Sequence, residues 1–131
     1  MQKLVLYVTV PLRWGVGFVF LYFGLSKYLW SQREIAQFID MGMPASLAPT
    51  ANFIFGGLEI FVAISMFLGI FVRQAALVAS TLLVLIIGGF TLKFGKLGLD
   101  TVFRDLAILG ASLSLIVRHH DPWCLEKPKS Q

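Results

Sequence analysis

Eighteen consecutive residues, Ala75–Leu92, carry no charge, and that stretch constrains the chain more than any other feature. As a helix it rises ~27 Å, close to the ~30 Å hydrocarbon thickness of a bilayer. Three more stretches share its character. Leu4–Ser26 is interrupted only by Arg13 and Ala51–Val72 only by Glu59, while Thr101–Val117 has Arg104 and Asp105 near its start. Inside lipid a backbone satisfies its own hydrogen bonds, so these stretches are expected as helices rather than open strands. The chain is 14% charged, against about 25% in soluble domains. At 131 residues and 57% hydrophobic, it has too high a surface-to-volume ratio to hide its apolar side chains from water. The expected fold is all-α: an integral membrane four-helix bundle forming one domain over 1–131, with spans near 4–26, 51–72, 75–92 and 101–117.

The connections fit four spans. Only Arg73 and Gln74 separate the second from the third, which predicts a tight hairpin, and Lys93–Asp100, with Gly95 and Gly98, reads as a short turn. In the long Lys27–Thr50 connection, Ser31 and Glu34 have capping-box spacing, and Ile35, Phe38 and Ile39 share one helical face. A short amphipathic interfacial helix between helices 1 and 2, ending near Gly42 before Pro44, is expected there. Tyr28, Trp30 and Trp123 suit interfacial belts. The first apolar run is too long for a secretory core and meets no small-residue cleavage site before Lys27, so it reads as a retained helix. An even number of spans puts both termini on one side. Five basic residues (Lys3, Arg73, Arg118, Lys127, Lys129) flank that side against four (Lys27, Arg33, Lys93, Lys96) on the other, which favours cytoplasmic termini. The net charge of +4 is scattered at the ends of apolar runs, where it meets phospholipid headgroups rather than nucleic acid.

The charges within the spans carry the functional information. An Arg or Asp at the centre of a membrane helix costs about 2.5–3.5 kcal/mol on insertion scales, so such groups face inward and pair. Counted from the span ends, Arg13 and Glu59 differ by ~5 Å in depth, and an Arg13–Glu59 bridge is expected. Arg13, Gly17, Phe20, Gly24 and Lys27 form one stripe, and Asn52, Gly56, Glu59, Ala63 and Met66 another, with glycines placed to let helices approach. Arg104 and Asp105 are adjacent and point ~100° apart, so each is expected to pair elsewhere, Asp105 with Lys27 and Arg104 towards Glu59. The five residues Arg13, Lys27, Glu59, Arg104 and Asp105 form the candidate polar cluster, in the half of the bundle away from the termini.

Other chemistry is poorly represented. One cysteine, Cys124, allows neither an intrachain disulfide nor a CxxC pair. His119, His120 and Cys124 match no zinc spacing. There is no dinucleotide fingerprint, P-loop, haem-ligating histidine within a span or nucleophile–base pair, so no catalytic residue is assigned.

The order of these features resembles the DoxX family. An arginine early in the first span is followed by Gly17, Phe20, Gly24 and Lys27. Gly42-Met43-Pro44, Gly57-Leu58-Glu59, Leu68-Gly69 with Arg73, and Arg104-Asp105 then come in turn. The resemblance runs from about Leu12 to Arg118. It implies a four-helix inner-membrane protein of bacteria or archaea, similar to the membrane subunit of a thiosulfate:quinone oxidoreductase. Some members are thought to join membrane redox complexes tied to sulfur or oxidative-stress metabolism. The family brings no settled catalytic residues, so the five polar positions carry over only as matching positions.

Three functions stay open. The first is a subunit of a quinone-linked redox complex, with quinone as candidate ligand near the polar cluster and an oxidoreductase as partner. The second is a small oligomeric transporter, although broken helices and repeats, common in such folds, are not seen. The third is a structural or assembly factor whose charges only fix helix packing.

Overall fold

The computed structural model describes residues 2–94 and 99–117, with side chains from Thr9 to Lys93 and from Val102 to Val117. The histidine pair, Cys124, Trp123 and the Gly95–Gly98 turn lie outside the described residues. Five helices follow in order: α1 (Gln2–Leu29), α2 (Ser31–Asp40), α3 (Ala48–Leu68), α4 (Val72–Phe94) and α5 (Leu99–Val117). The described residues are all-helical, as expected. α3 and α4 each contain a stretch long and apolar enough to cross a membrane, Ala48–Leu68 and Val72–Lys93.

Packing is uneven around the molecule. α1 lies mainly on α3 and α4 mainly on α5; contact between the two pairs, along α3/α4 and α1/α5, is thinner. The α1–α3 seam follows the two glycine-bearing stripes. A Cβ on Gly24 would lie 2.8 Å from Ile60 Cγ1 and 3.2 Å from the Gly56 carbonyl oxygen, so the backbones touch there as small-residue interfaces allow. Gly17 meets Met66 and Phe67, and Gly56 meets Lys27 and Tyr28, which makes the seam antiparallel and fixes its register. α1 ends level with the Phe53–Ile54 region of α3, where the Tyr28 hydroxyl donates to the Phe53 carbonyl at 3.1 Å. The first turn of α3 therefore rises past the end of α1.

The core gathers towards the α3–α4 turn. Val16, Phe20, Val62, Ala63, Met66, Val72, Ala75, Ala76, Ala79 and Leu115 are buried together. The alanines of α4 bring its backbone close to its neighbours, as in other membrane-type helix interfaces.

Two boundaries differ from expectation. The α3–α4 hairpin turns at Gly69–Phe71 rather than at Arg73–Gln74, which are already helical. Gly69 takes a left-handed φ of 66° and its N–H bonds the Ser65 carbonyl, the ordinary glycine close of a helix. Phe71 follows with φ 53°, a conformation that strains a residue bearing a Cβ. The capping box also does not form. α2 starts after Trp30 with no side-chain cap, so Ser31 is inside the helix and Glu34 is free to turn elsewhere.

Candidate functional site

At the other end of the bundle the helices border a half-open cavity of about 870 Å³. Its walls are the C-terminal half of α1, α2 with the Met41–Pro44 turn, the middle of α3, the C-terminal half of α4 and the start of α5. Val19, Phe20, Phe55, Leu83, Ile86 and Phe90 make the lining largely apolar, while Lys27, Glu34, Glu59, Arg104 and Asp105 bring charge into it.

Lys27 is the hub. Its Nζ donates to Glu59 Oε1 at 3.0 Å and lies 2.9 Å from Oε2. Glu59 is 1% exposed, so removing its partner would strand a charge in a low-dielectric interior. Glu34 of α2 also approaches Lys27 Nζ, but only to 3.9 Å, with its side chain 16% exposed. Asn52 orients the backbone here, its Nδ2 donating to the Lys27 carbonyl at 2.9 Å while its buried Oδ1 has no hydrogen-bond partner among the described residues. On α5, Arg104 Nε donates to Asp105 Oδ1 at 3.0 Å, and the guanidinium sits 5.1 Å from the Phe23 ring centroid, within cation–π range. That contact helps close the thin α1–α5 seam.

Four of the five sequence candidates, Lys27, Glu59, Arg104 and Asp105, line this cavity. Arg13 does not. The seam register places Arg13 level with Gly69–Ile70, ~16 Å along α3 from Glu59 and beyond the reach of an arginine side chain. It is buried at the opposite end and has contacts of its own there. The expected Arg13–Glu59 bridge is therefore replaced by Lys27–Glu59. The cause is an offset of the helix ends: the first part of α1 runs past the α3–α4 turn, so depths counted from Leu4 and Val72 refer to different levels. Arg104 and Asp105 depart from expectation as well, pairing with each other although adjacent, because the long arginine side chain folds back.

Sequence reasoning missed Glu34, assigned to a cap, and Phe23, whose role depends on a seam that no local pattern reveals. Asn52 was legible as part of the α3 stripe. Among the described residues no group of three or more His, Cys, Asp and Glu side chains is arranged to hold a metal ion.

The DoxX family model matches residues 8–94, which takes in most of α1, all of α2 to α4 and most of the cavity wall. The chain belongs to the DoxX family. No curated protein and no solved structure matches it. DoxX proteins are membrane-associated, in keeping with the apolar α3 and α4.

Proposed function

We propose that this DoxX protein is a membrane-embedded subunit of a quinone-linked redox complex, and that its cavity receives the quinone head. In this reading α1, α3, α4 and α5 cross the inner membrane, α2 lies at its surface and the termini are cytoplasmic. The breadth of the outward-facing apolar surface supports immersion in lipid: Phe18, Phe53, Leu85 and Phe103 are each more than half exposed, a costly pattern in water.

The observation that carries the reading is an apolar cavity of ligand size with one ammonium donor fixed at its inner wall. Binding cavities for organic molecules run from about 300 to 1,000 Å³, mostly apolar with a few placed polar groups. A quinone is an apolar ring with carbonyl acceptors. Lys27 has three N–H donors, of which Glu59 engages the nearest, so the ammonium can be held and still donate into the cavity. The chemistry a bound quinone supplies is reversible uptake of two electrons and two protons. The chain's own part is to hold the head and keep it from bulk water. None of the lining side chains carries electrons, so a partner oxidoreductase must supply or take them.

The pairing of every cluster charge with a neighbour also suits a structural role, in which Lys27–Glu59 only fixes helix register. Purification from native membranes in a gentle detergent, with mass spectrometry of bound proteins and lipophilic molecules, separates the two. The redox reading expects a quinone or an oxidoreductase to co-purify, and to be lost with Lys27→Met. Recovery of the chain with phospholipid alone would overturn the redox reading and leave the transporter and structural readings.

A further inference from the structure

Lys27 faces two carboxylates that differ sharply in quality. Glu59 holds it at 2.9–3.0 Å with both partners buried. Glu34 stands at 3.9 Å and is partly exposed. Coulomb attraction in a dry site far exceeds that at a wet one, so the first pair is fixed while the second is weak enough to exchange.

Glu34 belongs to the least anchored element of the fold. α2 has no buried residue. The contacts that hold it over the cavity include Glu34 to Lys27, Phe38 edge-on to Phe55 at 5.4 Å between ring centroids, and, just past its end, the Met41 sulfur, 3.2 Å from where a Cβ on Gly89 of α4 would lie. Its far end turns on Gly42, at φ 99°, a conformation that glycine adopts freely and other residues do not. Met43 N–H returns to the Phe38 carbonyl at 3.0 Å, closing the helix just before Pro44. α2 is thus a short cover, jointed at one end and latched in the middle to the residue that faces the ligand.

We propose that Glu34 is a ligand-displaced latch: an uncharged acceptor, such as a quinone carbonyl, takes its place on Lys27, and α2 is released from the bundle as the cavity fills. The proposal rests on the quinone reading and adds a regulated surface to it. The outer side of α2, with Gln32, Ala36 and Asp40 exposed, would report occupancy to a partner at the membrane face. Glu34 therefore opposes binding although it lines the site, the reverse of what a ligand-holding residue does.

The test uses the full chain in lipid nanodiscs with decylubiquinone as the probe. Trp30 lines the cavity, so quenching of its fluorescence, with Trp14 and Trp123 changed to Phe, reports binding. Spin labels on Ala36→Cys and Leu77→Cys, with Cys124→Ser, report the position of α2 relative to α4. Glu34→Gln should tighten binding roughly two- to fivefold, the worth of one weak ion pair. It should also broaden the label distance without ligand, to the distribution the unsubstituted Glu34 protein reaches only with quinone bound. Phe38→Ala should loosen α2 by a second route. Equal or weaker binding in Glu34→Gln, or an α2 distance indifferent to bound quinone, overturns the latch while leaving the quinone site standing. Absence of saturable quenching in the Glu34 protein overturns the quinone reading and the latch with it.

Discussion

The two ends of the bundle solve the same packing problem in opposite ways. At the α3–α4 turn, Val16, Val62, Ala63, Met66, Ala75, Ala76 and Ala79 pack into a continuous core. At the other end the helix pairs part around a cavity, spanned by Met41 at the end of α2 against Gly89 and by Arg104 against Phe23, while the ion pairs Lys27–Glu59 and Arg104–Asp105 each lie within one pair. The difference follows from residue size and charge. Alanine and glycine on facing stripes let helices approach until backbones touch. Large aromatic side chains such as Phe23, Phe55 and Phe90, with charges that must stay paired, hold them apart. The closed end supplies rigidity and the open end keeps room for something else.

The sharpest way to break this contrast is at the hub. Lys27→Met leaves Glu59 charged and buried, and should destabilise the protein by about 3–5 kcal/mol, read as a fall in thermal unfolding temperature in detergent. Adding Glu59→Leu should recover most of that loss, because an apolar pair suits the same space. No recovery would mean that the pair is not the main interaction at either position.

A matched pair of truncations compares the two ends directly. Met66→Ala opens a void in a core where nothing is exposed and should cost about 2–5 kcal/mol. Ile86→Ala also removes three heavy atoms but only enlarges an existing cavity, so it should cost about 1 kcal/mol or less. Similar losses at both positions would show that the open end is packed as tightly as the closed one.

Two smaller effects refine the seams. Gly24→Ala must push Ile60 and the Gly56 backbone aside and should cost about 1–3 kcal/mol, measurable in the same unfolding assay. Phe71→Gly relieves a left-handed φ on an exposed side chain and should be neutral or stabilising by up to about 1 kcal/mol. A clear destabilisation by Phe71→Gly would show that the ring contributes more than the strain costs.

The sequence made some of this legible and hid the rest for identifiable reasons. The stripes through Gly17, Phe20, Gly24 and Lys27 and through Asn52, Gly56, Glu59, Ala63 and Met66 are buried as their periodicity implies, because spacing of three and four reports a helix face directly. Which residue of one stripe meets which of the other is not in the spacing. It depends on how far each helix runs past its neighbour, and that offset moved the partner of Glu59 from Arg13 to Lys27. The short helix at Ser31–Asp40 was visible in its amphipathic pattern. Its role as a cover was not, since that depends on contacts with α3 and α4 from distant parts of the chain. Gly69 ends α3 four residues before Arg73, and this glycine close marks the turn better than the polar Arg73 and Gln74 do.

The central claim is that the open end binds a ligand and is not only a means of fixing helix register. The Lys27→Met/Glu59→Leu double variant tests it most directly, since it removes the polar hub while keeping a packed, uncharged seam. Saturable quenching of Trp30 by decylubiquinone should be present in the unaltered pair and lost in the double variant, with the unfolding temperature of the two proteins close. Binding absent from both would contradict the claim, and binding undiminished in the double variant would contradict the assignment of Lys27 as the group that holds the ligand.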